Sequence, residues 1–280
     1  MQSEMSFFEH LEALRWHIIR TALFILVFAI VAFIYFKKFF FDGIILAPTR
    51  VDFWTYRMMC HMGNGLHSVF SFINPDDFCV RAFKFHLINT EMAGQFTLQL
   101  NTSIMIGLIM GIPYLLFELW RFIRPALHEK ERKAASGFVF YASFLFFLGV
   151  SFGYYIVTPL SVRFFATYDV SDTITNMFDV DNYISSITWL TLLAGIVFQL
   201  PMVAYILSSL TVVTASFMRR TRRYATVLIL MLAAVITPSP DALTMLVVAA
   251  PLFLLYEFSI MVAAFVERRR AKREKAEGLT

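Results

Sequence analysis

Residues 187–209 read ITWLTLLAGIVFQLPMVAYILSS, and none of these side chains carries a formal charge. The run is long enough to cross the hydrocarbon core of a bilayer. Within lipid, backbone N–H and C=O groups must find partners inside the segment, which makes it a helix. Gln199 and Pro201 interrupt the apolar pattern. A polar group at membrane depth is a functional candidate by default. The rival reading is that Gln199 answers a carbonyl freed by a kink at Pro201.

Five further apolar blocks run roughly over 18–36, 96–117, 134–158, 224–237 and 242–265. Charged residues make up 16% of the chain and hydrophobic ones 59%, with 32 Phe and 14 Met. An ordinary soluble domain carries about 25% charged residues. A β-barrel would show short alternating segments instead of continuous runs. The expected architecture is an all-α membrane protein, a single domain over 1–280 with six transmembrane helices. The N-terminus does not read as a cleavable leader, because Glu4, Glu9 and Glu12 precede an apolar run without a small-residue cleavage site. Ser6 and Glu9 have capping-box spacing, and Phe7, Phe8, Leu11, Leu14 and Ile18 fall on one helical face. Residues 1–17 are therefore expected as a separate interfacial amphipathic helix.

The last two blocks are short. Ala225–Thr237 gives about 20 Å of helix and Ala242–Tyr256 about 23 Å before Glu257 interrupts it. Either the sixth helix continues past Glu257, or the bilayer thins around this hairpin.

Orientation follows from Lys and Arg. Seventeen fall on the side of both termini, in the N-terminal segment, 118–133, 210–223 and the basic tail 266–280. Seven fall on the other side, six of them in the long connection 37–95, where they weigh little. Both termini are thus expected in the cytoplasm, with the loop 42–95 exported. Beside a membrane span, the tail ERRRAKREK (267–275) reads as topology and attraction to anionic lipid rather than nucleic-acid binding.

No enzyme signature is present: there is no HExxH, GxSxG or P-loop pattern. Neither catalysis, nor a cofactor, nor a metal is expected. The two cysteines, Cys60 and Cys79, both lie in the exported loop, where an oxidising compartment permits a disulfide. A zinc site with His61 and His67 is the other reading, although its spacing matches no standard site.

The stretch ELWRFIRPALHEKERK (118–133) sets five bases and three acids between two apolar runs. Pro113 and Pro125 are expected to bend or end helices. Glu129 and Glu131 fit the early turns of a new helix, where acids are favoured. A carboxylate at this surface is equally a receptor for a basic ligand, and Arg pairs with it better than Lys.

In these residues the chain resembles the TatC family, the multi-spanning core subunit of the twin-arginine protein translocase, over nearly its whole length. Trp120, Phe122, Pro125, Ala126, Leu127, Glu131 and Arg132 are similar to the family's W-x-F-x-x-P-x-L-x-x-x-E-R pattern. His10-Leu11-Glu12-Ala13-Leu14-Arg15 is similar to its H-L-x-E-L-R, with the acid one position early and Ala13 in its usual place. Ala47-Pro48, Gln199-x-Pro201, Thr237-Pro238, Asp241, Pro251 and Glu257 resemble further family positions, while Met245 stands where members often hold Gln. The long loop is expanded relative to familiar members.

The resemblance implies a receptor for Arg-Arg signal peptides of folded cargo, in a complex driven by the proton motive force in the bacterial cytoplasmic (inner) membrane. Its implied signal-peptide site is Glu131, Glu12, Arg15, Phe122, Pro125, Leu127 and Arg132. The implied intramembrane polar or partner contacts are Gln199, Pro201, Thr237, Asp241 and Glu257, and Pro48 is structural. The implied partners are single-span TatA/TatB-type subunits, further copies of the chain and membrane lipid. The runner-up is a six-span small-molecule or ion transporter, which would need a polar cluster at mid-bilayer. If Cys60 and Cys79 are bonded, non-reducing mass mapping of the native membrane protein will recover them as one cross-linked peptide pair. Two free thiols would contradict the pairing.

Overall fold

The computed structural model describes residues 7–69, 79, 86–123, 137–168, 171, 176–237 and 242–276. The chain opens with α1 (Phe7–Ile34), a single unbroken helix. The expected separate amphipathic helix over 1–17 is therefore corrected: from Phe7 onward it is the first turns of α1. No Pro or Gly lies between Phe7 and Ile34 to break it.

A π-helical stretch (Phe36–Ile45) and a 3₁₀ turn (Ala47–Thr49) lead to α2 (Trp54–Val69) and the short strand β1 (His86–Ile88). The next helix, α3 (Gly94–Ile123), contains Pro113 and does not end there. After it come α4 (Phe138–Phe152), a π-helical turn (Gly153–Val157) and α5 (Thr158–Thr167), which together form one long helical run.

Strand β2 (Met177–Asp179) precedes α6 (Val180–Val197) and α7 (Leu200–Ser209). Pro201 sits in the first turn of α7, where its missing N–H leaves no intrahelical bond unmade. The chain ends in α8 (Ala215–Arg220), α9 (Arg222–Ile236) and α10 (Ala242–Ala276). Helix α10 runs on past Glu257 for 35 residues in all, which answers its apparent shortness.

Among the described residues, five helical runs are long and apolar enough to cross a membrane: Leu14–Ile34, Gly94–Ile123, Phe138–Thr167, Val180–Ser209 and Thr244–Lys272. Helix α9, with 15 residues, falls short of that length. It nevertheless packs against α10, and Ile229, Ala233 and Ile236 join Val248, Ala249, Leu252 and Leu255 in one buried cluster with Val157, Val197 and Phe198.

Helices α1 and α3 lie antiparallel. At one end Gln99 Nε2 donates to the Phe33 carbonyl at 3.0 Å, and further along Phe24 stacks on Tyr114 with centroids 4.4 Å apart. Between them, a Cβ on Gly107 would lie 2.7 Å from the Ala29 backbone nitrogen, so no larger residue fits that register. Close approach over small residues is how helices associate in lipid, where the apolar drive of water is missing.

The end of the bundle where α1 finishes and α3 begins carries a cap built from the long loop. The π-helical stretch leaves carbonyls without the usual helical partners, and tyrosines supply the donors. Tyr154 OH donates to Ile44 O at 2.6 Å and Tyr183 OH to Ile45 O at 3.0 Å. Tyr56 OH lies within 2.9 Å of Pro48 O and 3.0 Å of Pro159 O, tying α2 to the start of α5. Burial pushes the Tyr56 phenol above its ordinary pKa. Cys60 and Cys79 are joined by a disulfide.

The all-α expectation needs one correction. Strands β1 and β2 pair in parallel, His86 opposite Met177 and Ile88 opposite Asp179. Three-residue strands carry too little alternation to stand out in a sequence. Asp179 then caps α6, Oδ1 accepting from Asp181 N at 2.9 Å and Oδ2 from the Thr90 hydroxyl at 3.1 Å. The Asp181 N–H, first among these donors, holds the Asp179 carboxyl below the usual carboxylate range.

Two outcomes are expected. Gly107→Val will destabilise the protein by about 1–3 kcal/mol through overpacking, read as a lower thermal midpoint in detergent. Asp179→Ala will lower stability near neutral pH. Because the native pKa is depressed, the capped carboxylate stabilises fully above about pH 4, and its contribution is lost as pH falls through the native pKa. The gap between wild-type and variant midpoints should therefore close on acidification.

Candidate functional site

At the opposite end of the bundle, where α1 begins and α3 finishes, the helical turns next to the two motif blocks come together. His17 of α1 and Glu118 of α3, 101 positions apart, are hydrogen-bonded through His17 Nδ1 and Glu118 Oε2. The other carboxylate oxygen accepts from Tyr114 OH at 2.8 Å. Glu118 is only 2% exposed. A buried carboxylate is tolerated when both oxygens are satisfied, and here both are. The Phe122 ring stands edge-on to the His17 imidazole with centroids 6.1 Å apart.

One turn before His17, Glu12 and Arg15 form an exposed i,i+3 pair at 3.9 Å. The Glu12 carboxylate therefore points to solvent beside a base, available at this end of the molecule. A groove of about 370 Å³ opens alongside, lined largely by apolar side chains including Leu14, Ile18, Ile25, Leu115 and Leu119, with His17, Thr21 and Glu118 as its polar members.

Two residues before Phe122, Trp120 stacks on Phe138 at the start of α4, with centroids 4.4 Å apart. Pro125, Leu127, Glu131 and Arg132 fall between α3 and α4 in the sequence, and Asp241 between α9 and α10; all five lie outside the described residues.

The membrane-depth candidates do not converge. Gln199 Nε2 donates to the Ala142 carbonyl of α4 at 3.0 Å, so its amide bridges two helices instead of answering its own kink. Gln199 Oε1 is buried without a hydrogen-bond partner among the described residues. Thr237 is buried, and its hydroxyl donates to Ala233 O at 2.8 Å within its own helix. Glu257 accepts from Arg222 at 2.8 Å, joining α10 to the start of α9. Pro48 is buried, and its carbonyl accepts from Tyr56.

Spacing in the sequence singles out neither Glu118 nor its partners His17 and Tyr114. The available signal was a carboxylate immediately after the apolar block 96–117, with no base within four positions towards the span. Its partner comes from another helix, and no spacing rule reaches across 101 residues.

The profile of the family described as "Sec-independent protein translocase protein (TatC)" matches residues 9–251. A TatC from Blattabacterium is 34% identical over 269 residues, covering 96% of this chain and 98% of its own. One from Deinococcus radiodurans is 32% identical, covering 91% of this chain and 84% of its own. The fold is similar to two crystal structures described as the twin-arginine translocase receptor TatC. One has a TM-score of 0.67 at 29% identity over 91% of this chain and 99% of that one. The other has a TM-score of 0.62 at 26% identity over 92% and 100%. Matched along nearly its whole length by profile, relatives and fold, the chain belongs to the TatC family of Sec-independent protein translocase proteins.

Proposed function

We propose that this protein is the receptor and core subunit of a twin-arginine translocase in the bacterial inner membrane. In this reading it binds Arg-Arg signal peptides of folded cargo and recruits single-span TatA/TatB-type subunits. Further copies of the chain join it in the complex, and export is driven by the proton motive force.

The observation that carries the reading is the His17–Glu118 contact. It supports one receptor surface made from both motif blocks: Glu12 and Arg15 on α1, and the segment that leaves α3 after Phe122 and contains Glu131. Two carboxylates near one surface suit two guanidinium groups, each accepting paired N–H donors. Glu131 is the principal acceptor and Glu12 the second, with Phe122, Pro125, Leu127 and Arg132 shaping their surroundings.

Six crossings follow if α9 is counted as a short fifth span in a locally thinned bilayer. Both termini then lie in the cytoplasm, in keeping with the Lys and Arg distribution. The Cys60–Cys79 disulfide supports the same orientation, since such a bond persists on the oxidising side of the membrane. Gln199, whose Oε1 is buried and unmet, and the α9–α10 hairpin with Pro201, Thr237, Asp241 and Glu257 nearby in the sequence or fold, are the proposed contacts for partner helices.

Glu131→Ala is expected to abolish site-specific photocrosslinking of an Arg-Arg signal peptide while the protein still inserts and assembles. Crosslinking at the wild-type level would falsify the assignment.

A further inference from the structure

We infer that His17, Glu118 and Tyr114 form a positioning joint that sets the register of α1 against α3, so that signal-peptide binding depends on their pairing although Glu118 is closed to the peptide. This inference rests on the receptor reading above and adds residues outside the motifs that suggested it.

Apart from the Gln99 amide on the Phe33 carbonyl at its far end, the rest of the α1–α3 seam is largely close apolar packing. Gly107 and Gly111 abut Ala29 and Ile25, and Phe24 lies on Tyr114. Such contacts hold two helices close, but they discriminate weakly between neighbouring registers. A slide of one residue along α1 moves it by about 1.5 Å and turns each side chain by about 100°. That motion would carry Glu12 and Arg15 away from the end of α3.

A buried carboxylate discriminates far more sharply. Glu118 is 2% exposed and its two oxygens are met from two directions, Oε2 by His17 of α1 and Oε1 by Tyr114 of α3. In any other register the imidazole is withdrawn and a carboxylate oxygen is left buried and unmet, which is costly. Specifying register is the best-attested use of a buried polar group between helices.

The surroundings suit a joint rather than a ligand site. The charged neighbours of the trio are Arg121, on α3, and Arg20, on α1 and acting on Tyr114. The adjacent α4 contributes the aromatic Phe138 against Trp120. Phe122 covers the imidazole just before the chain leaves for 124–136. The position of the joint thereby passes directly to both motif blocks: five residues back along α1 to Glu12, and one residue on from Phe122 to the end of α3.

The test uses full-length protein in membrane vesicles, with an Arg-Arg signal peptide carrying a photocrosslinker as the probe. Four variants are compared with wild type: His17→Glu, Glu118→His, the double swap of both, and the milder Tyr114→Phe, which keeps the ring. Thermal midpoint and membrane insertion are followed in parallel. Each single swap is expected to weaken peptide binding by about tenfold, and the double swap to regain most of it. Tyr114→Phe is expected to give a smaller loss with insertion intact. A general loss of packing would not be repaired by exchanging the two residues.

The joint is overturned if the single swaps and Tyr114→Phe bind peptide like wild type. It is equally overturned if the double swap binds no better than the singles while inserting normally, or if swaps that fail to insert accompany a Tyr114→Phe variant with undiminished binding. Glu131→Ala in the same assay separates the two levels. If it abolishes binding while the joint variants are silent, the joint alone fails. If it too is silent, the receptor reading fails.

Discussion

Helices in lipid gain nothing from hiding apolar surface from water, so they associate only through close contact and polar pairing. The α1–α3 seam combines the two. Gly107 lets the backbones approach until nothing larger fits, and Glu118 makes one register better satisfied than its neighbours. Much of the rest of α1 faces outward, with Leu23, Leu26, Val27 and Ile30 each more than half exposed. Its position is therefore set chiefly by α3. Everything at that end of the bundle depends on this seam, because the N-terminal motif travels with α1 and segment 124–136 begins where α3 stops.

The opposite end obeys a different constraint. A π-helical stretch and a 3₁₀ turn expose carbonyls that cannot be left unmet near the membrane. Tyr56, Tyr154 and Tyr183 reach in from three separate elements to meet them. The phenol is suited to this, with an apolar ring for the bundle and one donor at its tip. The loop is thereby fastened to the bundle as a cap. The disulfide and the short parallel pairing of β1 with β2 add two further ties at the same end.

Between the two ends the bundle is closed by packing of unequal helices. The 15-residue α9 lies beside the 35-residue α10, and the Arg222–Glu257 pair locks the start of one to the middle of the other. A carboxylate that interrupts an apolar run in the sequence is thus neutralised by a neighbour 35 positions away. Gln199 follows the same logic, its amide answering a carbonyl of α4 rather than of its own helix.

Taken by itself, the sequence determined the class of solvent, the approximate extent of the apolar helices, the charge asymmetry and the two motif blocks. All of these are local or compositional, and hydropathy and spacing record them directly. It misjudged local continuity at one point, dividing α1 at residue 17, because local pattern is a weak prior once packing supports a helix. Only the tertiary structure decided which polar residues meet. That Glu118 belongs to His17, Glu257 to Arg222, and the carbonyls of Ile44 and Ile45 to two distant tyrosines follows from how helices pack. Hydrogen bonding at membrane depth is settled between elements, and a single chain read in order carries no period that spans them.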